Sequence, residues 1–216
     1  MINLMRSSVP ALCLYCFLTS NATAQETIAG RWRGEIGWNK MHLSLKSSLR
    51  SERSRWNMSF SEDIRLKEFK GLEQARSGDG SVQFELPREA GTFIFSGRFD
   101  KDEGSGDFKF TINPAFVSDM KALGYAKLAI DQVFTLAMHD VGISFIKEMQ
   151  ALGYNKLAID KLVEMAIHGV TPLFVKEMAD LGYKNLPIDQ LVQLRIHGVD
   201  ADYVKEMNEA IGKSPK

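Results

Sequence analysis

Residues 145–173 read FIKEMQALGYNKLAIDKLVEMAIHGVTPL, and residues 174–202 read FVKEMADLGYKNLPIDQLVQLRIHGVDAD. The two stretches share 16 of 29 positions, far more than a common amphipathic pattern would produce. The same 29-residue interval relates Phe116, Phe145, Phe174 and Tyr203, and also Gly124, Gly153 and Gly182. Asp131, Asp160 and Asp189 form a third column, and His139, His168 and His197 a fourth. A fixed period of this length is the signature of a stacked array, in which each unit buries its apolar face against its neighbours.

Each unit predicts two short helices. Helix A starts after a cap at Asn113, Gly142, Thr171 or Asp200, with Pro114 and Pro172 at the first helical position, where a missing N–H is harmless. It ends at Leu-Gly-Tyr, where glycine takes the left-handed conformation. Helix B carries Asp131, Asp160 or Asp189 in its first turn and ends at His-Gly-Val in two units, with Asp140 in place of glycine in the first. Helices this short are marginal alone, and helix B is apolar on two sides, so neighbouring units must cover it. The expectation is a short α-solenoid over 113–216: three units and a half-unit, Asp200 to Gly212, that reads as a polar cap.

Upstream of Asn113 the period changes to two. Apolar residues alternate at Trp32/Ile36, Met41/Leu43/Leu45, Trp56/Met58/Phe60, Val82/Phe84/Leu86, Phe93/Phe95/Phe99 and Phe108/Phe110/Ile112. Such alternation marks half-buried antiparallel strands. Turn-like breaks fall at Gly37-Trp38-Asn39, Ser77 to Gly80, Pro87 to Gly91 and Asp100 to Gly106. Between Ser61 and Leu72 the alternation is lost, leaving an irregular crossing or an extra strand. The basic cluster Lys46, Arg50, Arg53 and Arg55 reads as a solvated hairpin loop. The fold class expected is therefore α+β in two domains: a six-stranded antiparallel meander or small barrel over 25–112, then the helical repeats.

Residues 1–24 read as a signal peptide. Arg6 supplies a charged start, Val9 to Leu18 a short apolar stretch, and Ala22-Thr23-Ala24 a small-x-small cleavage site before Gln25. Cys13 and Cys16 both lie within that segment. Export to the periplasm or the medium is the expectation, and with it a mature chain free of cysteine chemistry.

The 27 Lys+Arg balance 27 Asp+Glu, which removes the electrostatic footprint of a nucleic-acid binder. An apolar content of 44% is enough for a real core and excludes a disordered chain. No His-Glu-x-x-His, Gly-x-Ser-x-Gly, phosphate-loop or dinucleotide motif occurs, so no enzyme activity, cofactor or metal is expected. The histidine column is the feature closest to chemistry. Equivalent positions in adjacent units lie about 10 Å apart, whereas metal–nitrogen bonds are about 2 Å, so the three imidazoles cannot converge. They read instead as residues of the last helical turn, facing the negative end of the dipole.

The Gly30-x-Trp32 strand, the segment Val82 to Leu86 leading into Ala90-Gly91-Thr92-Phe93-x-Phe95-x-Gly97, and the Leu-Gly-Tyr/His-Gly-Val repeats together resemble the extracytoplasmic C-terminal region of some bacterial membrane metallopeptidases. Those are related to the β-lactam sensor–transducers, and similar segments occur as free-standing exported proteins. The zinc motif is absent from these 216 residues, so the resemblance implies a sensing or interaction region with no catalytic residue to carry over.

Two functions compete on these grounds. The first is an exported interaction module that binds an envelope or extracellular protein through its helix B face, at Lys161, Glu164 and Gln193 framed by His139, His168 and His197. The second is a carrier of a small apolar ligand inside the β-domain.

Overall fold

The computed structural model describes residues 27–51, 54–73 and 81–212, with side chains 48–56 excepted. The expected signal peptide, the Ser77 to Gly80 turn and the side chains of Trp56 and most of the basic cluster lie outside these residues. The fold is α+β. Six strands come first: β1 (Thr27–Ile36), β2 (Lys40–Ser51), β3 (Ser54–Arg65), β4 (Val82–Arg88), β5 (Gly91–Asp100) and β6 (Glu103–Ile112). Seven α-helices follow among the described residues: α1 (Pro114–Ala122), α2 (Ile130–Met138), α3 (Ile143–Ala151), α4 (Ile159–Ile167), α5 (Pro172–Asp180), α6 (Ile188–Ile196) and α7 (Ala201–Ala210).

The sheet is antiparallel, in the order β3-β2-β1-β6-β5-β4. Two three-stranded meanders are thus joined where β1 pairs with β6. The single meander and the barrel are both corrected: β1 pairs with β6, while β3 and β4 stand at opposite edges, so the sheet is open. Its apolar face is closed by helices and not by further strands. Pro87 sits on edge strand β4, where a missing N–H is tolerated.

The stretch from Ser61 resolves into two pieces. β3 runs on to Arg65, and a 3-10 turn at Leu66–Glu68 leads to a bridge between Lys70 and Glu85. Alternation fails in the sequence because Glu62 takes an inward-facing position between Phe60 and Ile64. Its partner is remote: His139 Nδ1, at the end of α2, lies 3.1 Å from Glu62 Oε2.

The core under the sheet is aromatic. Trp32 meets Phe84 edge-on at 5.2 Å, Phe84 stacks on Phe95 at 4.8 Å, and Phe93 lies 4.5 Å from Phe110. Phe134 of α2 enters from the helical side and contacts Phe60, Phe93, Phe108 and Phe110. One continuous core therefore runs from the sheet into α1–α4, and a second lies among α3–α7.

The helices form from the local signals. Asn113, Thr171 and Asp200 accept hydrogen bonds from the first-turn amides of α1, α5 and α7. Gly153 takes φ +95°, and the Tyr154 amide reaches back to the Met149 carbonyl at 3.0 Å, closing α3 as the motif demands. Asp140 takes the left-handed conformation at φ +53° where the later units have glycine. Helix A packs on helix A (α1 on α3, α3 on α5, α5 on α7), and helix B on helix B (α2 on α4, α4 on α6).

Candidate functional site

The three histidines are the C-cap residues of α2, α4 and α6. His139 is mostly covered by β3, whereas His168 is half-buried and His197 exposed. Among the described residues, no three His, Cys, Asp or Glu side chains are placed to hold a metal ion.

Lys161 is already engaged within the array. Its ammonium donates to Asp189 Oδ1 at 2.6 Å, on the next helix B, and to Glu164 Oε2 at 2.7 Å, one turn along α4. Those hydrogen bonds, to Asp189 foremost, raise its pKa above the ordinary lysine range. Lys161 therefore clamps α4 to α6 through Asp189, with Glu164 of its own helix as the second acceptor. Gln193 and His197 are placed differently and line a cleft.

That cleft measures about 680 Å³ and lies between α6 and α7, with Met178, Leu194 and Met207 among its lining. Its wall is almost wholly apolar; Asp189, Gln190, Gln193, His197 and Asn208 supply the polar groups. Exposure distinguishes it from every earlier junction. Met120, Met149 and Met178 are at most 2% exposed, while their equivalent Met207 is 45% exposed. Tyr203 and Ile211 are 51% and 59% exposed. Composition hid this site, because the same residue types are core in the preceding units.

A tyrosine ladder runs through the array to the cleft. The Tyr125 hydroxyl donates to the Leu157 carbonyl at 2.9 Å, and Tyr154 to the Leu186 carbonyl at 2.7 Å. Each bond ties the end of one helix A to the segment leading into the next unit's helix B. Tyr183 departs from the pattern and donates to Asn208 Oδ1 of α7 at 3.2 Å.

A polar seam lies between the sheet and α2. Glu68 accepts from Arg65 Nε at 2.7 Å and from Arg88 Nη2 at 2.8 Å. Burial raises the Glu68 pKa, but the hydrogen bonds from Arg65 and Arg88 outweigh it and hold the carboxyl below its usual range. Arg88 is almost fully buried, its Nε lacks a hydrogen bond, and Asp140 Oδ1 stands 3.7 Å away. These charges answer one another, so the seam fastens sheet to helix.

The interior that a ligand carrier would require is occupied by Trp32, Phe84, Phe93, Phe95, Phe110 and Phe134, all nearly inaccessible to solvent. No helix among the described residues is long and apolar enough to cross a membrane. Comparison with models of known protein families, with curated proteins and with solved structures gives no match.

Proposed function

We propose that this chain is an exported, non-catalytic interaction module that binds a protein partner in the cell envelope through the apolar cleft between α6 and α7. In this reading the sheet, 25–112, and the repeats, 113–216, are two domains, and the repeats form a short α-solenoid. The single observation that carries the proposal is the apolar cleft between α6 and α7, where Tyr203, Met207 and Ile211 stand in solvent. A contiguous apolar surface with a polar rim is the usual character of an interaction site. The likeness of the repeat motifs to an extracytoplasmic sensing region supports the same compartment and role.

The test is the double variant Met207→Asp, Ile211→Asp, both at exposed positions. With an unchanged melting curve, it should lose the specific partner that the wild-type chain retrieves from envelope extract. Recovery of that partner at wild-type yield would place binding elsewhere.

A further inference from the structure

The face of the sheet turned away from the helices sorts its charges into rows. Arg31 and Asp107, directly opposite on β1 and β6, pair at 3.0 Å, as opposite charges across strands ordinarily do. In the next row Arg33 has serines on both sides, Ser44 of β2 and Ser105 of β6, and Arg98 of β5 stands beyond Ser105. Among the described residues, neither Arg33 nor Arg98 makes an ion pair or a side-chain hydrogen bond. One row further, Glu35, Glu103 and Asp100 lie side by side on β1, β6 and β5. His42, the other neighbour of Glu35, is occupied by Asp63 at 2.8 Å. Like charges directly opposite destabilise a sheet, and interleaving these acids with the two arginines would remove that cost. The fold instead keeps a guanidinium row beside a carboxylate row, all five groups exposed, in one hollow of about 790 Å³.

We infer that this hollow binds a zwitterion, its oxyanion on Arg33, Ser105 and Arg98 and its protonated amine on Glu35, Glu103 and Asp100. Guanidinium groups present paired donors that match an oxyanion, and the Ser105 hydroxyl between them adds a third contact. The three carboxylates are acceptors without a cationic partner among the described residues, and an ammonium has three N–H groups to share among them. A simple anion would meet the carboxylate row as a repulsive wall, and a simple cation the guanidinium row. Adjacent rows on one face are two residues apart along a strand, about 7 Å. The two charges of the ligand must stand about that far apart, so an α-amino acid, with both on one carbon, is too short. The chemistry is that of an ω-amino acid or of a C-terminal lysine, whose α-carboxylate and ε-ammonium are separated by its side chain. This site belongs to the sheet and is independent of the cleft between α6 and α7.

The probe is 6-aminohexanoate, titrated at millimolar concentration into the isotope-labelled full chain and followed by amide NMR shifts. Saturable shifts are expected in residues 33–35 and 98–105. Hexanoate and hexylamine, which each lack one charge, should bind at least about tenfold more weakly, as should 6-aminohexanoate to the Arg33→Gln, Arg98→Gln variant. No saturable shift in these residues overturns the inference, as does hexanoate or hexylamine binding as tightly as the zwitterion. Undiminished binding to the double variant overturns it too. A Gly-Gly-Lys peptide that binds with a free carboxylate and fails when amidated would identify a C-terminal lysine as the ligand. Binding of 6-aminohexanoate without binding of that peptide would identify a free ω-amino acid.

Discussion

Tyr183 donates to the side-chain oxygen of Asn208, whereas its counterparts Tyr125 and Tyr154 donate to main-chain carbonyls of the next unit. Asn208 is buried, at a position held by Lys121, Gln150 and Ala179 in the other units. A substitution within helix A thus supplies a side-chain acceptor where the earlier rungs of the ladder use a main-chain carbonyl. Asn208→Ala should lower stability by about 1 kcal/mol, the usual net value of such a bond. Tyr183→Phe should cost less than Tyr154→Phe, because Tyr183 is partly exposed and water can replace its partner. Denaturant midpoints of the three variants check the order; equal losses from the two tyrosines would show that the ladder is not graded in this way.

Asp140 is held by two opposing effects. Its left-handed backbone costs up to about 1 kcal/mol relative to glycine, while its carboxylate faces the buried Arg88 guanidinium at 3.7 Å. The long, partly exposed pair is worth at most about 1 kcal/mol. Asp140→Gly should therefore leave stability within about 0.5 kcal/mol of wild type. Asp140→Asn tolerates the same backbone but loses the charge, and should be the less stable variant. Calorimetry of both separates strain from charge; a clear gain from Asp140→Gly would mean the contact with Arg88 contributes nothing.

Glu89, in the turn between β4 and β5, accepts the Ile143 amide at 2.8 Å and so caps α3 from outside the helix. Gly142 makes room for it, since a Cβ there would collide with the Glu89 carboxylate. Glu89→Ala should cost about 1 kcal/mol, the value of an N-cap. Gly142→Thr, which copies the cap at Thr171, should also destabilise, by collision. The double variant should recover part of the sum, because threonine then caps the helix itself. Strict additivity in the cycle would rule out this exchange.

Glu68 makes stability depend on pH. Its folded pKa lies below its unfolded value, about 4.3, so its stabilising contribution is complete above that value. It is lost as pH falls through the lowered folded pKa. Wild type should exceed Glu68→Gln in stability at pH 7, and the gap should close as the solution is acidified below about pH 4. A gap that persists undiminished at about pH 2.5, well below that unfolded value, would show that the carboxyl's charge is not what Arg65 and Arg88 require.

Helix limits, caps and glycine stops were legible in the 29-residue period because each depends on residues within a turn of one another. The six strands were legible for the same reason, wherever alternation was intact. By itself, then, the sequence determined the element list and the repeat. What it could not show were contacts between distant positions. Glu62 reads as a break in a strand until His139 stands against it. Asp140 reads as a departure from the repeat and Gly142 as an ordinary cap until the sheet supplies Arg88 and Glu89, and nothing in the repeat foretells that Phe134 enters the aromatic core. Lys161 and Glu164 read as free surface until Asp189 closes the clamp. The open sheet and the uncovered cleft belong to the same class. Apolar residues such as Met178 and Met207 occupy identical places in the repeat, and only the packing around each among the described residues makes one core and leaves the other exposed.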